Sequence, residues 1–432
     1  HEHAPSAAAE ASSGTFYVSH ARDQTRHGRG NGACATCSPT VCTIRTMSAA
    51  PPSASAPGHT PGRPHRWRHT GQGGPDRGSG RHGQSGLHRW TLLASALCLV
   101  VVMILLWAVP VPFVAWSPGQ TVDLAGRNGS KPVVQVSGLP ARQTKGEVRM
   151  TTVSVTSVDS VLSLSEALVT SWLPDHDVLP RDVVYQPGLS NDEVRASEMK
   201  MMDTSQSDAV VAALRAAGQP VTEVPMAAGV STSGPATNVM APGDLITHVD
   251  GRKVSTPADV QHEIRAHDVG EPVPFTVERN GKARNVVVTT TAQPDNPKIP
   301  LIGISVTNGY RYDTRVRFNL PEGIVGPSAG LMMSLATYQT IAPSDLVGDL
   351  RLAGTGTVAP DGTVSSIGGI QEKMAGAERD GAQVFLVPAG NCQDIAGHKT
   401  SIKLVKVTSL RDAIASVQNI RSGAQTKEVP HC

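Results

Sequence analysis

Cysteine is scarce, with six residues in 432. That excludes a scaffold built on disulfides. Neither sign of charge is in excess: 38 Lys+Arg stand against 36 Asp+Glu, a net +2. The chain therefore lacks the basic surface of a dedicated nucleic-acid binder, and no nucleic-acid partner is expected. No Gly-x-x-x-x-Gly-Lys-Ser/Thr loop occurs. The nearest look-alike, Gly397-His398-Lys399-Thr400, lacks the leading glycine spacing, so no ATPase engine and no ATP partner are expected. Aromatic residues make up only 3 %, and the few tryptophans stand out by position.

What is present is uneven. Residues 1–90 hold ten Arg, no Lys and four acids, a net +6, and nine of the fifteen His. They are rich in Gly, Ser and Pro and show no apolar periodicity, so they read as a disordered segment. Met47-Ser48-Ala49-Ala50 looks like an ordinary start, which would make 1–46 a start-site artefact. Cys34, Cys37 and Cys42 fall in that stretch. Cys34-x-x-Cys37 has metal-ligand spacing, but no second Cys or His pair accompanies it, and no metal or other cofactor is expected.

From Trp90 to Val122 there is no charge. The run Leu92–Val109, extended to Trp116, exceeds the about 20 helical residues that span a bilayer. It is expected to be a retained transmembrane helix over 91–116, with Trp90, Trp107 and Trp116 at the interfaces and lipid as its partner. Six Arg between 63 and 89 precede it, which places the N-terminus in the cytoplasm and residues 117–432 outside the cell membrane.

In the exported part, Glu147–Val155 has strand chemistry, and Leu162–Leu173 and Glu193–Ala217 read as helices. Residues 219–292 form a separate module. Pro242-Gly243-Asp244-Leu245-Ile246 feeds a short strand, and Asp250-Gly251 makes a tight turn. Thr256 and Pro257 then open a helix. These runs resemble a PDZ domain, which adds an extended peptide to its sheet edge. No Gly-Leu-Gly-Phe-type loop stands upstream, where Met226–Val230 and Ser233–Ala236 lie. A spacer that binds nothing strongly therefore remains the competing reading.

The chemistry concentrates after 296. Gly326-Pro327-Ser328-Ala329-Gly330 opens an apolar helix beginning Leu331-Met332-Met333. Small neighbours admit a substrate backbone, and a helix N-terminus offers N–H groups to an oxyanion. No histidine stands in a context that suggests a base for Ser328. Lys373, in Ile367-Gly368-Gly369-Ile370-Gln371-Glu372-Lys373, lies among small and apolar residues that would strip its solvation and lower its pKa.

Together these runs, with Pro321-Glu322-Gly323, Gly354-Thr355-Gly356-Thr357-Val358 and Val384–Pro388, closely resemble the proteolytic domain of Lon-type (S16) Ser-Lys proteases. The resemblance implies Ser328 as nucleophile and Lys373 as general base. Thr357 would support the lysine, with Gly326, Pro327 and Ala329 around the serine. It also implies an α+β fold with the PDZ-like module inserted, the protease parts running over about 144–218 and 293–420. The tail 421–432 is expected to be disordered. Membrane-anchored chains combining these two domains form a bacterial group often called YlbL-like, which this chain resembles. The expected function is ATP-independent, membrane-anchored serine endopeptidase activity on exported or membrane-associated proteins. The alternative is an inactive Lon-like scaffold whose PDZ module tethers exported proteins. Lon-type domains often form rings, so a homo-oligomer is compatible with the resemblance.

Overall fold

The computed structural model describes residues 16–18, 84–423 and 429–432. Cys34, Cys37, Cys42, the Met47 start and most of the segment read as disordered lie outside the described residues. The chain divides into one unit of residues 23–104 and another of residues 1–22 with 105–432. The described part of the first is most of the helix Gln84–Ala108. Its stretch Arg89–Ala108 has a mean hydropathy of 2.6, long and apolar enough by length and composition to cross a membrane.

The helix ends at Ala108, earlier than the sequence suggested. Pro110–Val111 and Phe113–Asp123 are strands of the second unit. Pro110 lacks the N–H needed to continue the helix. Beyond it, Val114 and Trp116 alternate into the interior. Trp116 is thus a core residue and not an interfacial anchor.

The second unit is built on a mixed sheet. Glu147–Val155 pairs in parallel with Arg351–Gly354, which pairs with Val384–Pro388, which pairs with Lys403–Val407. On its other side Glu147–Val155 runs antiparallel to Phe113–Asp123. Arg351–Gly354 covers only residues 147–150 of the central strand. Over 153–155 the edge beyond it pairs with Phe16–Val18, which also pairs in parallel with Ile324–Val325. Phe16–Val18 is thus a strand within the segment read as disordered.

Helix Asn191–Ala216 packs on helix Gly330–Ile341 over this sheet. A capping box between Ser190 and Glu193 fixes its start. Met202, Ala209 and Ala212 join Leu331, Met332 and Leu335 in the core. The main domain is therefore made from segments on both sides of the inserted module, an α+β domain with an insertion.

The inserted module has its own sheet and core. Thr222–Val230, Leu245–Val249, Pro272–Arg279 and Lys282–Thr289 are joined by Ile304–Arg311, which pairs along Thr222–Val230. The module thus reaches past residue 292, because its last strand arrives only after a hairpin at 291–301. Asp244, fully buried, accepts two 2.6 Å hydrogen bonds from the Arg279 guanidinium and one from Ala241 N–H. Burial alone would raise its pKa, but these donors hold the carboxylate below its ordinary value.

The C-terminal tail is tied down. Cys432 forms a disulfide with Cys392, Pro430 accepts a hydrogen bond from Lys406 N–H, and Val429 is buried in the main core. These anchors contradict a disordered tail at 429–432.

Candidate active site

Ser328 lies between the short strand Ile324–Val325 and helix Gly330–Ile341. Its segment is held from two sides. Ser205, on helix Asn191–Ala216, donates to the Pro327 carbonyl at 2.8 Å, and Gly326 N–H donates to the Glu198 carbonyl at 3.3 Å. From the turn after Arg351–Gly354, Gly356 N–H and Thr355 Oγ1 both donate to the Ser328 carbonyl, at 2.8 and 3.1 Å. A Cβ at Gly330 would lie 2.9 Å from Ser205 Oγ and 3.0 Å from Val358 N. Only glycine lets these segments approach so closely.

Lys373 sits on the first turn of helix Ile370–Arg379. The helix opens at Gly369, whose φ of 69° favours glycine and where a Cβ would meet Val153 at 2.6 Å. That contact sets the lysine helix against the central strand. Lys373 Nζ is 2.6 Å from Ser328 Oγ. Both residues have 0 % solvent exposure.

Burial pulls the Lys373 pKa down from 10.5 to about 7, against an opposing pull from Glu372. Desolvation disfavours the ammonium, and among the described residues no carboxylate is hydrogen-bonded to it to restore the charged form. Glu372 is buried too. Its pKa is raised, first by burial and then by neighbouring Asp177.

The structure brings Ser328 and Lys373 together, with Gly326, Pro327 and Ala329 forming the frame of the serine. Ala329 is the N-cap of its helix. Thr357 is placed differently. It is half-buried and lines a cavity of about 300 Å³ with Ser205, Asp208 and Pro327, and no hydrogen bond joins it to Lys373. The threonine beside Ser328 is Thr355, buried and bound to the serine carbonyl. Sequence reasoning passed over it because both threonines flank Gly356 and only the turn geometry separates them. Asp208, in the same cavity wall, has its pKa raised by burial to about 6.

A second site lies in the inserted module. Helix Pro257–Arg265 and residues 299–306 enclose a groove of about 490 Å³ lined by Ile264, Ile299, Leu301, Ile302, Ile304 and Val306, among others. Ile304–Arg311 ends its sheet, and among the described strands none pairs with its other edge. Leu301-Ile302-Gly303, downstream of Pro242, is an apolar-Gly run at this groove, with Gly303 at φ 76° leading into the edge strand. The signal for the groove was that apolar-Gly-apolar run directly ahead of a strand.

Two stretches of the chain match known protein families. Residues 304–419 match the Lon protease (S16) C-terminal proteolytic domain, and residues 201–290 match the PDZ domain. The chain thus carries a Lon-type proteolytic domain and a PDZ domain. It is 34 % identical over 125 residues to Lon protease 1 of Sorangium cellulosum, covering 27 % of this chain and 15 % of that protein. Over 107 residues it is 29 % identical to Lon protease 2 of Bacillus subtilis, covering 24 % of this chain and 19 % of that one. The chain spans under a fifth of the length of these relatives. A solved PDZ domain of an SdrC-like protein from Listeria monocytogenes is 26 % identical, covering 19 % of this chain and 86 % of that chain with a TM-score of 0.18.

Proposed function

We propose that this chain is a membrane-anchored serine endopeptidase that works without ATP on exported or membrane-associated proteins. The observation that carries the reading is the 2.6 Å contact between Lys373 Nζ and Ser328 Oγ, both out of solvent. A lysine with a pKa near 7 is substantially neutral at physiological pH. Its amine takes the Ser328 proton as Oγ attacks the scissile carbonyl. Backbone N–H groups near Ser328 hold the oxyanion. The resulting ammonium gives its proton to the leaving amine, and water then hydrolyses the acyl-enzyme with Lys373 again as base. Thr355 and Ser205 position the nucleophile by fixing the carbonyls of Ser328 and Pro327.

The substrate enters as an extended strand. The slot between residues 153–155 and 324–325 has hydrogen-bonding groups on both sides, and Phe16–Val18 fills it as a strand. A substrate in that place would be read by its backbone, which favours unfolded segments over tightly folded domains. Phe16–Val18 paired in this slot and a bilayer-spanning Arg89–Ala108 exclude one another, so in the anchored protein the slot is open to substrate.

Three observations support an anchor with the catalytic unit outside the cell. Arg89–Ala108 is long and apolar enough to span. Trp90 and Trp107 stand near its two ends, about 25 Å apart along the axis. The Cys392–Cys432 disulfide fits an oxidising compartment. The PDZ groove is the docking site for an extended segment of the protein being degraded.

The competing reading is an inactive scaffold. Favouring it, the dyad has no solvent exposure while the PDZ groove is open. Purified full chain in detergent, incubated with an unfolded protein, separates the two. Cleavage that vanishes in Ser328→Ala and Lys373→Ala, with unchanged circular dichroism, supports the protease. No cleavage by the unaltered chain supports the scaffold.

A further inference from the structure

The first helix after the membrane segment carries an apolar face that the fold does not use. Helix Leu164–Trp172 starts where the chain leaves Ala108. Leu164 N–H donates to the Val109 carbonyl at 3.0 Å, and Pro110–Val111 pairs with Leu162–Ser163. A capping box between Ser163 and Glu166 fixes its first turn. Its buried residue is Ala167. At about 100° per residue, Leu168, Trp172, Val169 and Leu173 fall on the opposite side of the helix. They are 40, 81, 56 and 46 % exposed, and Val161, just before the helix, is 62 % exposed. The helix carries one charged side chain, Glu166, and that carboxylate is engaged in the cap.

We propose that helix Leu164–Trp172 lies in the outer membrane–water interface, with Leu168, Val169, Trp172 and Leu173 in the headgroup–acyl boundary. This rests on the membrane-anchor reading above. The choice of lipid follows from continuity: Val109 is one residue beyond the apolar segment, and the helix is hydrogen-bonded to it. An apolar face tied to the exit point of a spanning segment meets the interface first, and tryptophan is the side chain most favoured there. The catalytic unit is then held to the bilayer at two points, the span and this helix, and works on segments presented close to the membrane.

The test uses the full chain reconstituted in vesicles of phosphatidylcholine and phosphatidylglycerol. A photo-crosslinking residue, p-benzoylphenylalanine, replaces Leu99, Val169, Trp172 or, as a control outside this helix, Arg411. Lipid adducts are read by mass spectrometry. The proposal expects adducts at 99, 169 and 172 and none at 411. Lipid adducts at 99 with none at 169 and 172, or with adducts there only to protein, overturn the interfacial helix and leave the span standing. No lipid adduct at 99 removes the span and the proposal with it. Equal adducts at 411 mean non-specific labelling and also overturn it. In the chain with Leu168→Asp and Trp172→Asp, the adduct at 169 should fall at least several-fold, while cleavage of a short soluble peptide stays within twofold.

Discussion

Asp244 and Lys373 both have no solvent exposure, and they are treated in opposite ways. Asp244, in the PDZ module, is clamped by two 2.6 Å hydrogen bonds from Arg279, so its charge is kept and its pKa depressed. Lys373, in the Lon-type domain, meets a serine hydroxyl, and burial is left to lower its pKa to about 7. The paired charge ties a turn to a strand. The lysine, hydrogen-bonded to a hydroxyl and not to a carboxylate, can change its protonation state near neutral pH, as the proposed base must.

The largest effect that would sharpen this contrast is on activity. Ser328→Ala or Lys373→Ala should lower the cleavage rate of an unfolded substrate by roughly 10⁴-fold or more, measured by release of a fluorogenic peptide. Lys373→Arg should be as inactive, because a guanidinium stays protonated.

Next comes the tail. Cys392→Ser should destabilise the domain by about 2–4 kcal/mol in chemical denaturation, since the bridge closes a sequence separation of 40 residues. Asp244→Ala should lower the stability of the PDZ module by about 2–3 kcal/mol, toward the lower end for a buried pair because Arg279 is partly exposed. Cleavage of a short peptide by the same variant should change little. If that variant lost activity as completely as Lys373→Ala, the division between a structural and a catalytic buried charge would be wrong.

The smallest effect is on pH dependence. The neutral amine is the active form, so the rate should fall tenfold per pH unit below about 7 and level off above it. Glu372 pulls the lysine pKa upward. Glu372→Gln should therefore move the acid limb to lower pH, seen in the pH profile of kcat/KM.

Much of this was legible because local signals and the final fold agree. Glu147–Val155 reads as a strand and is one. Ser328 and Lys373 sit in frames of small residues that tight packing requires, as Gly330 and Gly369 demonstrate. The misreadings fall where a long-range partner decides. Pro110–Trp116 is apolar enough to extend a span, yet Trp116 is buried beside Val153 and Val155. Leu301-Ile302-Gly303 lines the PDZ groove because Ile304–Arg311 pairs with a strand some eighty residues earlier, and nothing local announces that. Two cysteines 40 residues apart give no hint of pairing, and the docking of Val429 depends on a core assembled from distant segments. Thr355 and Thr357 differ only in which way a turn points them.

The most direct test of the account is the pH dependence with which a fluorophosphonate probe modifies Ser328 in the intact protein, followed by mass spectrometry of the labelled peptide. Labelling should be confined to Ser328, rise through an apparent pKa near 7, and disappear in Lys373→Ala. Labelling that stays flat up to pH 10, or that persists without the lysine, would contradict a neutral Lys373 as the base.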